Sequence, residues 1–361
     1  MKKFLSMILS ILLLGLLICP ALALNIEQSS DCEFSMETCY PIINTAEWAE
    51  MERAERVAAC QISDDRLAEM STEELMWTVL EYPFMIDLYA FDTYREGFLH
   101  VYNEFHALQE LASREDFGHI LAATYQALPV ADVVGSYSET ADNTDLYQHI
   151  RDLSVMEILI AQPEMTDDLD SEIIDSLLLT ANNKYLEKYD ALDINSGNLT
   201  TFYAAVEESS DSTIAVAYVG ATVYTPNGSR VAVEDHSSTQ DWSDAEKAQR
   251  NAEQLTSYPG IYVIHDPCKR YNCHSYAWYY SSPLNYYIMY SPEAYMTDGS
   301  YTSTTSFSVG NKVYWKSGVN PVHSGIIVDT STVESKWGQL GVYRHSLSEC
   351  PYYGTTSYWT R

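Results

Sequence analysis

The hydrophobic pattern of this chain changes near residue 213, and this change limits the folds open to it. Before it, apolar residues recur at the spacing of amphipathic helices, as in ELMWTVLEYPF after the capping box Ser71-Thr72-Glu73-Glu74. After it, short β-rich runs are separated by turns, as in TIAVAYVGATVYTPNGSRVAVED around Pro226-Asn227-Gly228. The sequence therefore predicts an α+β protein, with helices first and a helix packed on an antiparallel sheet later.

The first residues predict a secretory signal peptide at 1–23. Lys2 and Lys3 precede an apolar run, and Ala21-Leu22-Ala23 forms a small-x-small cleavage site. A single-span anchor is the alternative, which the interruption by Pro20 disfavours. No other segment is long and apolar enough to span a bilayer, so we expect no integral membrane span after cleavage and a secreted, extracellular protein.

The remaining chain divides by its pattern into three parts. These are an acidic α-helical domain at 24–190, a linker at 191–212 and an α+β domain at 213–361. The helical domain carries no catalytic pattern, and its role stays open between a prodomain-like cover, a partner-binding module and a spacer.

The charge of the chain excludes one class of partner. It has 51 acidic and 20 basic residues, a formal net charge of −31. A nucleic-acid binder needs a basic face to neutralise phosphates, and no such face can be assembled here. We therefore expect no nucleic-acid partner, and binding to an anionic membrane surface is disfavoured for the same reason.

Six cysteines remain after cleavage of the signal, and an exported protein can bridge them. They are Cys32, Cys39, Cys60, Cys268, Cys273 and Cys350. A disulfide between Cys268 and Cys350 would staple the C-terminal segment to the core. Cys32 with Cys39 or Cys60 is a second expected bridge. There is no CxxC pair, which argues against a zinc ribbon.

The stretch KRYNCHSYAW places Cys273 at the start of a short aromatic helix. A helix N-terminus favours a thiolate and offers backbone donors to an oxyanion. His323 opens a β-like run 50 residues later and could serve as the base of such a thiol. From these residues alone, a disulfide half remains the commoner role for a cysteine in a secreted chain.

The order of the segments NCHSYAW, GNKVYWK and HSGIIVD, followed by a polar strand, resembles the NlpC-type cell-wall peptidases of the papain-like superfamily and the related CHAP amidases. The resemblance covers roughly residues 260–345. It implies that Cys273 is the nucleophile, that His323 is the general base and that Gly325 lets its strand pack close to the helix.

The resemblance also implies a third polar residue about a dozen positions past His323. That position lies near Glu334 and Ser335, where the usual His, Asn or Gln is absent. Glu334 and His345 are ranked equally for this role, with Gln339 as a further candidate.

Four further residues are expected to line the substrate site, together with a tyrosine-rich surface. They are Tyr271, Asn272, His274 and Trp337. Tyr271 and Asn272 would add a donor to the oxyanion site or else only cap the helix. His274 cannot easily be the base of its neighbour Cys273, so we expect it to point outward or to the substrate rim.

The expected activity is hydrolysis of an amide bond, with a peptide or peptidoglycan substrate and no metal or organic cofactor. Two alternatives stay open. One is a non-catalytic binding or surface module with a degenerate papain-like fold, and the other is a disulfide-stabilised structural protein in which Cys273 is bridged.

Overall fold

The computed structural model describes residues 39–132, 136–191, 201–209 and 219–361. The predicted signal peptide, Cys32 and most of the predicted linker lie outside these residues. The described chain combines helices and two antiparallel sheets, as the sequence pattern predicted.

Helices dominate the part of the chain before residue 210. They are α1 (Ala46–Glu50), α2 (Arg53–Ala59), α3 (Asp64–Glu69), α4 (Thr72–Leu80), a 3₁₀ helix (Pro83–Tyr89), α5 (Tyr94–Glu104), α6 (His106–Ser113), α7 (Phe117–Ala127), α8 (Thr144–Ile160), α9 (Pro163–Thr166), α10 (Ser171–Ala191) and α11 (Thr201–Ser209). Later helices are α12 (Asp244–Ser257), α13 (Cys273–Trp278) and α14 (Glu293–Thr297).

Local sequence signals explain several helix ends. The capping box at Ser71 forms as predicted, and a second one forms at Ser243, each with the side chain of a glutamate three residues later returning to the cap. Asp116 is the N-cap of α7, but its side chain makes no capping hydrogen bond. This helix ends at Ala127, ahead of Pro129.

The strands form a three-stranded sheet and a seven-stranded sheet. The small sheet has the order β1 (Val219–Tyr224), β2 (Arg230–Asp235), β4 (Tyr287–Ile288). The large sheet has the order β3 (Tyr262–His265), β9 (Val342–Ser346), β8 (Thr332–Lys336), β7 (Asn320–Ile327), β6 (Lys312–Ser317), β10 (Thr355–Thr360), β5 (Thr302–Thr304). The predicted hairpin at Pro226-Asn227-Gly228 joins β1 to β2.

The two faces of the large sheet are covered by different layers. The main core packs the helices of the first half against one face, at residues such as Val313, Trp315 and Ile327. Helix α13 covers the other face, where Trp278 clusters with Tyr314 and Ile326. Since side chains alternate along a strand, neighbours in sequence belong to opposite layers.

The helices before residue 210, which we call the helical half, share one hydrophobic core with the large sheet. At Gly338 the β8–β9 turn has a positive φ of 44°, and a Cβ there would lie 2.2 Å from the backbone oxygen of Phe91. Trp48 of α1 also donates to the backbone oxygen of Thr256 at 2.8 Å. The predicted boundary at 191–212 therefore does not separate two independent cores.

Candidate active site

Helix α13 begins at Cys273, and its start is fixed by Asn272. The Asn272 side chain accepts from the backbone N–H of Ser275 at 3.1 Å and from that of Met289 at 3.2 Å. Its amide donates to Asp92 at 2.7 Å. This wholly buried asparagine therefore ties the start of α13 to the helical half of the chain.

The sulfur of Cys273 lies in a buried site close to two backbone donors. The N–H groups of His274 and Ser324 act to lower its pKa. Burial nevertheless raises the pKa of Cys273 well above its usual value, with the charge of Asp92 acting in the same direction. In this closed arrangement the group is a neutral thiol.

His274 points into the protein, contrary to the expectation that it would face outward. It is 4% exposed, and its Nδ1 lies 2.7 Å from Ser324 Oγ, which also accepts from Trp278 Nε1 at 2.8 Å. Burial lowers the pKa of His274 to about 3. His274 therefore anchors α13 to β7 as a neutral ring.

His323 lies on the face of the large sheet opposite to α13. It pairs with Trp315 across β6 and β7, and the two rings are 5.0 Å apart in the main core. Burial lowers the pKa of His323 well below its usual value. Neither of its ring nitrogens has a hydrogen-bond partner among the described residues. Cys273 and His323 are thus not hydrogen-bonded, although the thiol reaches the backbone of the next residue, Ser324.

Tyr352 covers the imidazole of His323. The two rings are stacked with centroids 3.7 Å apart and an interplanar angle of 13°. The Tyr352 hydroxyl donates to the backbone oxygen of Ala90 in the helical half. The C-terminal segment and the helical half therefore close this side of the site together.

The two candidates for the third position lie on different faces. Glu334 is on the α13 face, where it accepts from Tyr276 at 2.7 Å and pairs with Arg344 at 3.2 Å. From there it makes no contact with His323, which lies on the other face. His345 is on the His323 face, but its Nε2 lies 2.7 Å from Ser335 Oγ. Gln339 contributes its backbone, which bonds Tyr89 and Trp242.

The other predicted site residues are also buried. Tyr271 is 1% exposed and lies under the ammonium of Lys336, which is 5.0 Å from the ring centroid. Trp337 is fully buried and donates to Ser335 at 3.1 Å. Neither Tyr271 nor Trp337, nor the helix cap Asn272, can contact a ligand without rearrangement. Gly325 is tightly placed, but a Cβ there would meet Val313, Glu334 and Ser335 of the neighbouring strands rather than α13.

The predicted disulfides are not formed between described residues. Cys60, Cys268, Cys273 and Cys350 are free thiols. Cys268 clusters with Tyr271 and Tyr276 on the α13 side, whereas Cys350 belongs to the main core. The expected Cys268–Cys350 bridge is wrong in this structure because the two thiols lie in different layers.

A group with the composition of a metal site lies elsewhere, in the helical half. Ligand atoms of Asp87, His100 and Glu104 all lie within 4.8 Å of one another. The guanidinium of Arg53 donates to Asp87 and to Glu104 at 2.8 Å and is 3.1 Å from His100 Nε2. An internal cation thus already neutralises this cluster.

Sequence reasoning missed the residues that close the site. Ser324 could have been found, since alternation places the residue after His323 on the helix-facing side. Tyr352 and Asp92 carried no local signal, because only the packing of distant segments brings them to the site.

No helix of the described residues has the length and apolar character needed to cross a membrane. No model of a known protein family, no curated protein and no solved structure matches this chain. The resemblance to NlpC-type and CHAP-type enzymes accordingly stays a prediction.

Proposed function

We propose that this chain is a secreted cysteine hydrolase that cleaves an amide bond, and that the described arrangement is its closed form. The observation that carries the proposal concerns two groups, the thiol of Cys273 and the imidazole of His323. A buried thiol stands at the first residue of a helix, close to the backbone N–H of Ser324, and the residue before Ser324 carries a buried imidazole with no hydrogen-bond partner among the described residues.

The orphaned imidazole calls for an explanation beyond stability. A buried polar group without a hydrogen bond costs about 1–3 kcal/mol, and native proteins seldom retain one without a role. An apolar ring in place of His323 would stack on Tyr352 and Trp315 without that cost. A neutral imidazole with a free nitrogen is, however, what a thiol needs as its base.

The chemistry follows the resemblance stated above. On opening, His323 takes the proton of Cys273 as the sulfur attacks the substrate carbonyl. The backbone N–H groups at the start of α13 stabilise the oxyanion. The carbon–nitrogen bond then breaks, and the imidazolium returns its proton to the leaving amine. Water hydrolyses the resulting thioester with the same imidazole as base. The substrate class we favour is a peptide, including the stem peptides of peptidoglycan.

Opening requires Tyr352 and its segment to move away from His323, and it also requires β7 to rearrange so that the imidazole reaches the Cys273 side of the sheet. This segment is held to the helical half by an ion pair between Glu349 and Arg56, and by the bond from Tyr352 to Ala90. The helical half thus fits the prodomain-like role among those left open by the sequence. Movement would let water reach both groups and relax the pKa shifts that burial causes.

The test is iodoacetamide labelling of the intact exported protein across pH, with peptide mapping. We expect slow labelling of Cys273 in the wild type and fast labelling in Tyr352→Leu. Adding His323→Gln to Tyr352→Leu should raise the apparent pKa of labelling, whereas adding the buried control His345→Gln should not. Equal labelling of Cys273 and the buried Cys268 in every variant would remove the basis for the proposal. Loss of peptide hydrolysis in Cys273→Ser would support it directly.

A non-catalytic binding or surface module is the second candidate. It is favoured by the position of His323 on the face opposite to α13 and by the burial of every predicted substrate contact. Under this candidate, Tyr352→Leu would expose Cys273 without any effect of His323 on its labelling.

A further inference from the structure

A group of surface tyrosines lies beyond the C-terminal end of α13, away from Cys273. This tyrosine cluster consists of Tyr279, Tyr280, Tyr286, Tyr287 and Tyr290. Four of the rings are between 38% and 58% exposed, and Tyr287 is partly buried. Exposed aromatic rings in one patch cost solvation energy and mark an interaction surface.

Neighbouring rings of the cluster lie at steep angles to one another. Tyr279 and Tyr287 have centroids 5.8 Å apart at 66°, and Tyr286 and Tyr287 are 4.6 Å apart at 47°. Tyr287 is therefore in ring contact with both Tyr279 and Tyr286. Rings set at such angles present several π faces toward one region of space.

Two carboxylates border the cluster. Asp235 on β2 pairs with Tyr287 on β4, and Glu234 pairs with Ile288. Tyr290 donates its hydroxyl to Glu234 at 2.9 Å. Hydrogen bonds from Ser237 lower the pKa of Asp235, so this carboxylate is ionised at neutral pH.

No Lys or Arg lies over the rings of Tyr279, Tyr280, Tyr286 or Tyr287 within the described part of the chain. The faces of these rings, together with Asp235 beside Tyr287, thus offer negative potential, whereas Glu234 is already in contact with His236 at 3.4 Å. An organic ammonium group suits such a surface, since it gains from both the ring faces and the Asp235 carboxylate. Phosphate-bearing partners are repelled by the same charges.

We propose that the tyrosine cluster binds the ammonium group of a lysine side chain carried by a peptide partner. The cluster is shallow, so a free small molecule would keep much of its surface in water. A side chain projecting from a peptide needs contact on only one side, because its backbone adds further contacts. The inference does not depend on the proposed hydrolase, because the cluster contains none of the proposed catalytic groups.

The experiment is a titration of the full-length exported protein with acetyl-Ala-Lys-Ala-amide, followed by ligand-detected NMR. The same peptide with its lysine side chain acetylated is the uncharged control. We expect the charged peptide to bind, with an affinity that falls as salt rises. Equal binding of the two peptides would overturn the proposal, as would no binding of the charged one up to 10 mM, a limit of roughly −3 kcal/mol in standard binding free energy.

Substitutions separate the site from general attraction to an acidic protein. Tyr286→Phe keeps the ring face and should bind as the wild type does, whereas Tyr286→Leu should weaken binding roughly fivefold. Tyr262→Leu, on β3 of the other sheet, is the matched surface control and should change nothing. Equal effects of Phe and Leu at position 286 would show that the ring face is not used.

A Cys273→Ala form measured in parallel keeps this inference distinct from the proposed function. Peptide binding by the wild type with no hydrolysis by either form would support the site and contradict the enzyme. Hydrolysis by the wild type, together with peptide binding that the Tyr286 variants do not change, would support the enzyme and contradict the site.

Discussion

Tyr352 lies flat on His323, with ring centroids 3.7 Å apart, and it seals an imidazole whose nitrogens have no hydrogen-bond partner among the described residues. The thiol of Cys273 lies near the backbone N–H of the adjacent Ser324, at the start of the helix that covers the other face of the sheet. The predicted nucleophile and base therefore make no hydrogen bond to each other in this structure.

Replacing His323 by phenylalanine should make the protein more stable. The new ring keeps the stacking on Tyr352, and the cost of an unsatisfied buried polar group, about 1–3 kcal/mol, is removed. Urea unfolding measures the gain, and any peptide hydrolysis should be lost. His345→Phe is the matched control and should destabilise, because it removes the partner of Ser335. A similar loss of stability in both variants would contradict the interpretation of His323.

Acid should destabilise the protein partly through its buried histidines. Burial lowers the pKa of His345 to about 4, whereas an unfolded histidine titrates near 6.5. The unfolded chain therefore binds more protons between these values, so stability falls as the pH drops through this window. His345 alone accounts for about 3 kcal/mol between pH 8 and pH 4.

Buried carboxyl groups act in the opposite direction over the same range. Burial raises the pKa of Asp92 and Asp152 to about 6. The stability that these two carboxyl groups contribute is present at low pH and is lost as the pH rises through 6. The histidine effect is therefore isolated by comparing wild type with His345→Gln in urea unfolding at pH 7, 5.5 and 4.5. The variant should show the shallower loss, and parallel curves would refute the assignment.

Removing the guanidinium of Arg53 should be strongly destabilising. Arg53 is 2% exposed and neutralises Asp87 and Glu104. Arg53→Met leaves these carboxylates buried without a partner, which costs about 3–5 kcal/mol. Arg66→Met is the control, because the Arg66 side chain is 61% exposed and its loss should change stability by less than about 1 kcal/mol. Thermal unfolding of both variants distinguishes these outcomes.

An acidic residue at position 272 should make stability depend on pH. Asn272 donates to Asp92 at 2.7 Å, and Asn272→Asp would place two carboxyl groups together. Because the pKa of Asp92 is about 6, the repulsion is small at pH 5 and full at pH 8. The variant should therefore lose more stability at pH 8, by roughly 2 kcal/mol relative to pH 5. Asn272→Ser keeps the cap without the charge but loses the amide that lowers the pKa of Asp92, so its deficit should grow toward pH 8 by less than that of Asn272→Asp.

Local signals in the sequence predicted the secondary structure well. The capping box at Ser71, the hairpin at Gly228 and the change from helices to strands along the chain are all present. These features depend on residues within a few positions of one another.

The candidate site was predicted in its residues but not in its arrangement. The sequence placed Cys273 at a helix start and His323 on a strand, both of which the structure has. It could not decide which sheet face each layer would cover, because that depends on the packing of the helical half. Tyr352 joins the site from a segment that follows His323 by 29 residues, and no hydrophobic periodicity in the sequence predicts this contact.

The network around Arg53 also bears on how the chain folds. Its guanidinium bonds Asp87, Glu104, Tyr258 and Tyr353, and the last two contacts span 205 and 300 residues. Contacts of such sequence separation slow the folding of a chain. Until Tyr353 packs against Arg53, the charged groups around Arg53 are incompletely paired. Docking of the C-terminal segment thus completes a charge cluster in the helical half and, through the neighbouring Tyr352, also covers the candidate site.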